Sequence, residues 1–232
     1  MAAWAVGEIE DKASVPPLLR ALGGSNTRVR LAAIWSLGQI EDARVVPDLV
    51  ATLRDADPAI RAVTADVLGD LEDQAALAPL ERTLSSDADA RVRAEAASSL
   101  GELSAASSAA ALGRALSDAD IVVRRAAAEA LGNLDEVHTA PPGLTAAVQS
   151  TDPELRHHAA GALAAIADPS TTPALITLLS DTDAELRKHA AEALGEIGTP
   201  AAVAGLTRAL EDRDPEVRRT AVEALGEAKE KN

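Results

Sequence analysis

The sequence predicts an all-α fold, an α-solenoid (superhelix) of about seven two-helix repeats of 31–32 residues. Three observations predict it. A glycine recurs at near-constant spacing, and a capping residue and an arginine recur at fixed distances before it. The apolar content is made of small side chains: among 232 residues there is no Phe, Tyr or Cys, one Met and two Trp, yet 47% are hydrophobic. Ala, Leu and Val suit thin layers of closely approaching helices rather than one thick core. Self-similarity at such a period is the signature of a repeat architecture.

Gly7, Gly38, Gly69, Gly101, Gly132, Gly195 and Gly226 share one register, with Ala164 in the missing slot. Eight residues before each position from Gly38 onward stands an arginine: Arg30, Arg61, Arg93, Arg124, Arg156, Arg187 and Arg218. A branched aliphatic residue precedes each arginine, from Val29 and Ile60 to Val217. Four residues before each arginine lies Asn26, Asp57, Asp89, Asp120, Asp152, Asp183 or Asp214. The Asn or Asp reads as a helix N-cap, whose side chain satisfies an orphan backbone N–H. Pro58, Pro153 and Pro215 follow the cap directly, at the first helical position where proline is tolerated. The glycine is expected to end this helix, here helix B, in a left-handed conformation.

Between one glycine and the next cap a second helix, helix A, is expected, as at 45–53, 172–179 and 202–210. Pro16, Pro47, Pro79 and Pro173 sit near its start, and Leu22, Leu53, Leu84, Leu116, Leu179 and Leu210 near its end. No segment alternates with the period of a strand. The expected division is a half repeat at 1–11, then repeats at 12–42, 43–73, 74–105, 106–136, 137–168, 169–199 and 200–232. The half repeat lacks its helix A, so one apolar face lacks its usual cover: either the sequence begins mid-array or this end docks onto something, and without docking a monomer is expected. The charged segment 227–232 reads as a polar cap.

Segments such as LGEIGTPAAVAGLTRALEDRDPEVRRTAVEALG (194–226) resemble the short HEAT repeats named after phycobilisome lyases, over essentially the whole chain. The resemblance implies a ladder in which an Asp before helix B and the Arg within it link successive repeats. The matching acids are Asp55, Asp87, Asp118, Asp181 and Asp212, each six residues before its arginine; Gly24 and Ser150 break the series. The ladder arginines are thereby expected to be structural. Repeat five departs further, with Pro141, Pro142 and Gly143 before its helix A and Ala164 for the glycine. Drift and a bend at 135–152 are the two readings.

The resemblance implies a protein-binding scaffold, with a bilin-lyase-like or regulatory subunit as the alternative. Some HEAT-like proteins are di-iron hydroxylases marked by His-Glu dipeptides, and none occurs here. Acidity argues against nucleic acid: 37 acids against 22 Lys and Arg give a formal charge of -15, whereas phosphate binding needs a basic face. The acid-rich, Lys-poor, Ala-rich balance fits a salt-loving source and GC-rich codon usage alike. No run of ~20 apolar residues offers a membrane span, and Glu8, Glu10 and Asp11 interrupt any signal-peptide apolar region. A cytoplasmic protein without cofactor is expected.

Neither catalysis nor metal binding is expected. Only His138, His157, His158 and His189 offer imidazoles. His158 and His189 share a register, which at helix packing distance means ~10 Å, too far for one zinc. The informative stripe lies ten, seven and three residues before each glycine, the exposed ridge of helix B, which lines the concave face in HEAT-like arrays. In the last repeats it reads Glu185, Lys188, Glu192 and Glu216, Arg219, Glu223, opposite charges that satisfy one another. In the first it reads Arg28, Leu31 and Trp35, with Ala59 and Ala62 following and Trp4 one repeat earlier. Trp and Arg are enriched at interface hot spots, so these six residues form the candidate partner site. Local core covering the N-terminal end is the other reading of the two tryptophans.

Overall fold

A computed structural model describes residues 12–230 of the chain. Among them are fourteen α-helices and no strand, in seven consecutive pairs. The A helices are α1 (Val15–Leu22), α3 (Val46–Thr52), α5 (Leu77–Ser86), α7 (Ala109–Ala115), α9 (Pro142–Ala147), α11 (Thr172–Leu178) and α13 (Pro200–Ala209). The longer B helices are α2 (Thr27–Gln39), α4 (Pro58–Asp70), α6 (Ala90–Glu102), α8 (Ile121–Gly132), α10 (Pro153–Ile166), α12 (Ala184–Ile197) and α14 (Pro215–Glu230). Five A helices are entered through a short 3-10 turn, at Lys12–Ser14, Ala43–Val45, Gln74–Ala76, Ala106–Ser108 and Pro169–Thr171. Asp42, Asp73 and Asp168 cap three of these turns, a signal that the B-helix register does not contain.

Each B helix begins where its cap predicts. Asn26 accepts from the amides of Arg28 and Val29, and Asp57, Asp89, Asp120, Asp152, Asp183 and Asp214 each accept from an amide two or three residues on. Behind the caps, Leu37, Leu68, Leu100, Leu131, Leu163 and Leu194 repeat one fully buried position. Burying each such side chain contributes roughly 1.5–3 kcal/mol, and the repeat distributes that gain evenly along the array. Successive B helices pack against one another along their lengths, while A helices touch mainly their own B helix. The B layer is therefore the tighter arc, and the A layer the splayed one.

The recurring glycine does not end helix B in a left-handed turn. Gly38, Gly69, Gly101 and Gly195 lie inside their helices, and the residues with positive φ come three later: Glu41 (φ 48), Glu72 (φ 50), Ser104 (φ 47) and Gly198 (φ 65). Close approach requires the glycine instead. A Cβ at Gly101 would lie 2.8 Å from the Ala130 Cα, one at Gly195 2.7 Å from the Ala224 Cβ, and one at Gly69 2.8 Å from the Ser99 Cβ. Each glycine is a notch for the next B helix. The notch loosens mid-array: a Cβ at Gly132 would stand 3.5 Å from Ala162, and the next slot holds Ala164.

The arginines also act between repeats. Arg61 grips the Asp87 carboxylate with two bonds of 2.7 Å, Arg93 grips Asp118 with two of 2.8 Å, and Arg187 grips Asp212 at 2.7 and 2.9 Å. Arg30 reaches Asp55 with one bond, its Nε donating to the Leu22 carbonyl at 3.0 Å instead. Each carboxylate also accepts the backbone N–H two residues on, at 2.8–2.9 Å. The arginine six residues after an acid reaches that acid's carbonyl, not its carboxylate: Arg124 donates to Asp118 O at 2.6 Å and Arg218 to Asp212 O at 2.7 Å. One residue set thus fastens three segments, which rigid planar guanidinium forks suit.

Two central rungs are missing. Ser150 leaves Arg124 without a carboxylate, and Arg125 crosses to the Asp152 cap at 2.5 and 2.8 Å instead. The arrangement holds the Asp152 carboxyl down at about 2, through the Arg125 guanidinium first and the Leu155 amide second. At the next junction Arg156 does not bond Asp181, although both carry the ladder pattern; its Nε is buried without a partner. Ala164 stands at this junction where others have the notch glycine. His157 makes the crossing there, its Nε2 lying 2.9 Å from Asp183 Oδ2. Val222 on α14 is 61% exposed; the end of the charged segment 227–232 lies outside the described residues.

Candidate functional site

Of the stripe ten, seven and three residues before each glycine, the ten-before positions face solvent, whereas the seven-before positions are mostly half-buried and Ala94 is buried. Arg28, Ala59, Arg91, Val122, Glu154, Glu185 and Glu216 are all exposed, whereas the opposite stripe of the same helices is core. Within the candidate partner site, Arg28 and Ala59 are exposed, and Leu31, Trp35 and Ala62 are half-buried. Leu31 rests on the core with one edge open. Trp4 lies outside the described residues. Sequence reasoning missed Val29, which is 45% exposed although its equivalents Ile60, Val92 and Val123 are fully buried. Its aliphatic type and register both pointed inward.

Beside Trp35 in the next two repeats stands a group of carboxylates also missed from sequence. Asp66 occupies the Trp35 register on α4, and Glu95 of α6 hydrogen-bonds to it. Burial, then the charge of Asp70, raises the Asp66 carboxyl above its ordinary range. Glu95 is raised by burial and by Asp66, and Glu102 by burial and by Asp70, Asp66 and Glu95. The packing step between B helices brings residues 29 apart together, as in Asp66 and Glu95, whereas the sequence repeat aligns residues 31 or 32 apart. That offset hid the cluster.

Farther along, the ridge pairs its cations with its own acids. Lys188 bonds Glu185 at 2.9 Å, and Arg219 bridges Glu216 at 2.7 Å and Glu223 at 2.9 Å. Between these halves a cleft of about 400 Å³ is lined by Glu129, His157, His158, Gly161 and His189. The histidine pair brought together is His157 and His189, with ring centroids 6.4 Å apart and edge to face, rather than the same-register His158 and His189. Among the described residues no group of three or more His, Cys, Asp or Glu side chains is arranged to hold a metal ion. None of the helices described is long and apolar enough to cross a membrane.

The family model for HEAT repeats matches at residues 1–57, 25–101, 46–132, 83–151 and 140–226. The chain belongs to the HEAT-repeat family. Solved structures similar to this HEAT-repeat array include an engineered protein, 24% identical, TM-score 0.67, over 98% of this chain and 71% of that one. The complex of CpcE and CpcF of phycocyanin lyase from Nostoc sp. PCC7120 is 23% identical, TM-score 0.57, over 93% and 94%. YibA of E. coli is 19% identical, TM-score 0.58, over 96% of each chain. At these identities the likeness concerns the fold. No curated protein matches the chain.

Proposed function

We propose that the chain is a non-catalytic scaffold that binds a protein partner on the concave B-helix surface, centred on Arg28, Leu31, Trp35, Ala59 and Ala62. The observation that carries this reading is the contrast along the ridge. In its C-terminal half the cations Lys188 and Arg219 are paired to the ridge's own acids, while its N-terminal end presents the exposed cation Arg28 and the edge of Trp35. A half-buried aromatic beside an arginine supplies contact area at small entropic cost, as at interface hot spots. Repeat arrays offer extended concave surfaces for such contacts.

The test is comparative capture from cell extract, read by quantitative mass spectrometry. The Arg28→Glu, Trp35→Ala double variant should lose the proteins retained by the native chain. Arg82→Glu with Arg114→Glu, on exposed A-helix positions, should retain them. Trp35→Ala alone should weaken an isolated complex by about 2 kcal/mol or more, with the helical melt little changed. Equal capture by both double variants would refute the assignment. The phycocyanin lyase likeness supports a lyase-type subunit only at the level of fold; visible absorbance of a tetrapyrrole in the same eluate would favour it.

A further inference from the structure

We propose that the junction between α10 and α12 is a proton-operated hinge, fastened by protonated His157 on the Asp183 carboxylate and loosened when that imidazole is neutral. Four observations at one place carry it. The notch glycine is replaced by Ala164, between the loosened notch at Gly132 and the tight one at Gly195. The rung from Arg156 to Asp181 is absent, and Arg156 Nε is buried without a partner. The direct side-chain crossing that remains is His157 Nε2 to Asp183 Oδ2, 2.9 Å. The flanking junctions are held by arginines: Arg125 on Asp152 before it and Arg187 on Asp212 after it.

A guanidinium stays charged at every physiological pH, so those flanking rungs are permanent. Imidazole is the side chain whose ordinary titration falls between about pH 5 and 8. The charged groups around His157 come from both helices packed against α10. Glu129 of α8 lines the same cleft, and Asp183 at the head of α12 is its hydrogen-bond partner. Arg125 of α8 is engaged by Asp152 and Glu154, and Lys188 of α12 by Glu185. His158 on α10 lines the cleft, and His189 of α12 lies 6.4 Å away with Glu192 at 3.4 Å from its Nδ1. The sign follows: the ion pair holds the junction in mild acid and is lost as pH rises through the imidazole range.

Amide hydrogen exchange tests this, with intrinsic rates corrected for pH. Between about pH 6 and about pH 8, exchange in α10 and α12 should accelerate roughly two- to fivefold, the range for one partly exposed ion pair. The α4 and α6 amides, joined by Arg61 and Asp87, should show no such step. His157→Arg should hold the junction slow at both pH values, as Arg125 does one repeat earlier. His157→Gln, which keeps a hydrogen bond without the charge, should be fast at both. A flat native profile at α10 and α12 would overturn the proposal. So would a pH step of native size in either variant.

Discussion

Gly101 and Arg93 secure the same face of α6 from different positions, one by leaving room and the other by reaching across. Gly101→Ala places a methyl 2.8 Å from the Ala130 Cα and 2.9 Å from its Cβ. Overpacking of this kind costs about 1–3 kcal/mol, and a shift of the thermal midpoint measures it. Arg93→Ala removes two bonds to Asp118 and one each to the Asp87 and Ala88 carbonyls, and leaves the half-buried Asp118 without its arginine. Arg124→Ala removes carbonyl bonds only. Urea unfolding should therefore show the Arg93 variant losing about 2–3 kcal/mol and the Arg124 variant about 1, within the range for charged hydrogen bonds. Equal losses would contradict the assignment of the ladder partner. Glu72 holds φ at 50°, and Glu72→Gly should be neutral or stabilising by up to about 1 kcal/mol.

The caps, the arginine register and the glycine period were legible in sequence, because each is a local requirement renewed in every repeat. What a residue touches in the neighbouring repeat was not legible. Gly101 was read as a helix terminator because glycine does that most often, and only the position of Ala130 shows otherwise. Trp35 was visible as a departure from its register, whereas exposed Val29 kept the residue type of a core position.

At the scale of paired helices, α4 and α6 carry opposing pH responses. Asp66, Glu95 and Glu102 have raised folded pKa values, so the folded state binds more protons than the unfolded one on mild acidification. Their contribution makes stability rise as pH falls from neutrality toward the ordinary carboxylate range. The ladder acids respond in the reverse sense. Asp118 and Asp212 are lowered chiefly by Arg93 and Arg187, and in Asp87 the bonds from Arg61 and the Asp89 amide outweigh burial. Their stabilisation is complete above the unfolded carboxylate pKa and is lost as pH falls through the lowered folded values. The thermal midpoint should thus climb on mild acidification and then collapse. Glu95→Gln should raise the neutral-pH midpoint and flatten the climb; an unchanged climb would place its origin outside this cluster.

The whole molecule carries a formal charge of -15, so self-repulsion opposes its compact form and salt should relieve it. The thermal midpoint should rise between low salt and molar KCl, and a flat response would remove the repulsion argument. The same acidity makes the N-terminal ridge, with Arg28 exposed on the face of Trp35, a local exception on the surface. The most direct test of the proposed partner site is amide exchange of the purified chain with and without its captured partner. Exchange should slow on α2 and α4 upon binding, while the A helices α7 and α9 on the opposite layer remain as they were. Protection confined to the A helices, or to the self-paired ridge of α12 and α14, would contradict the account.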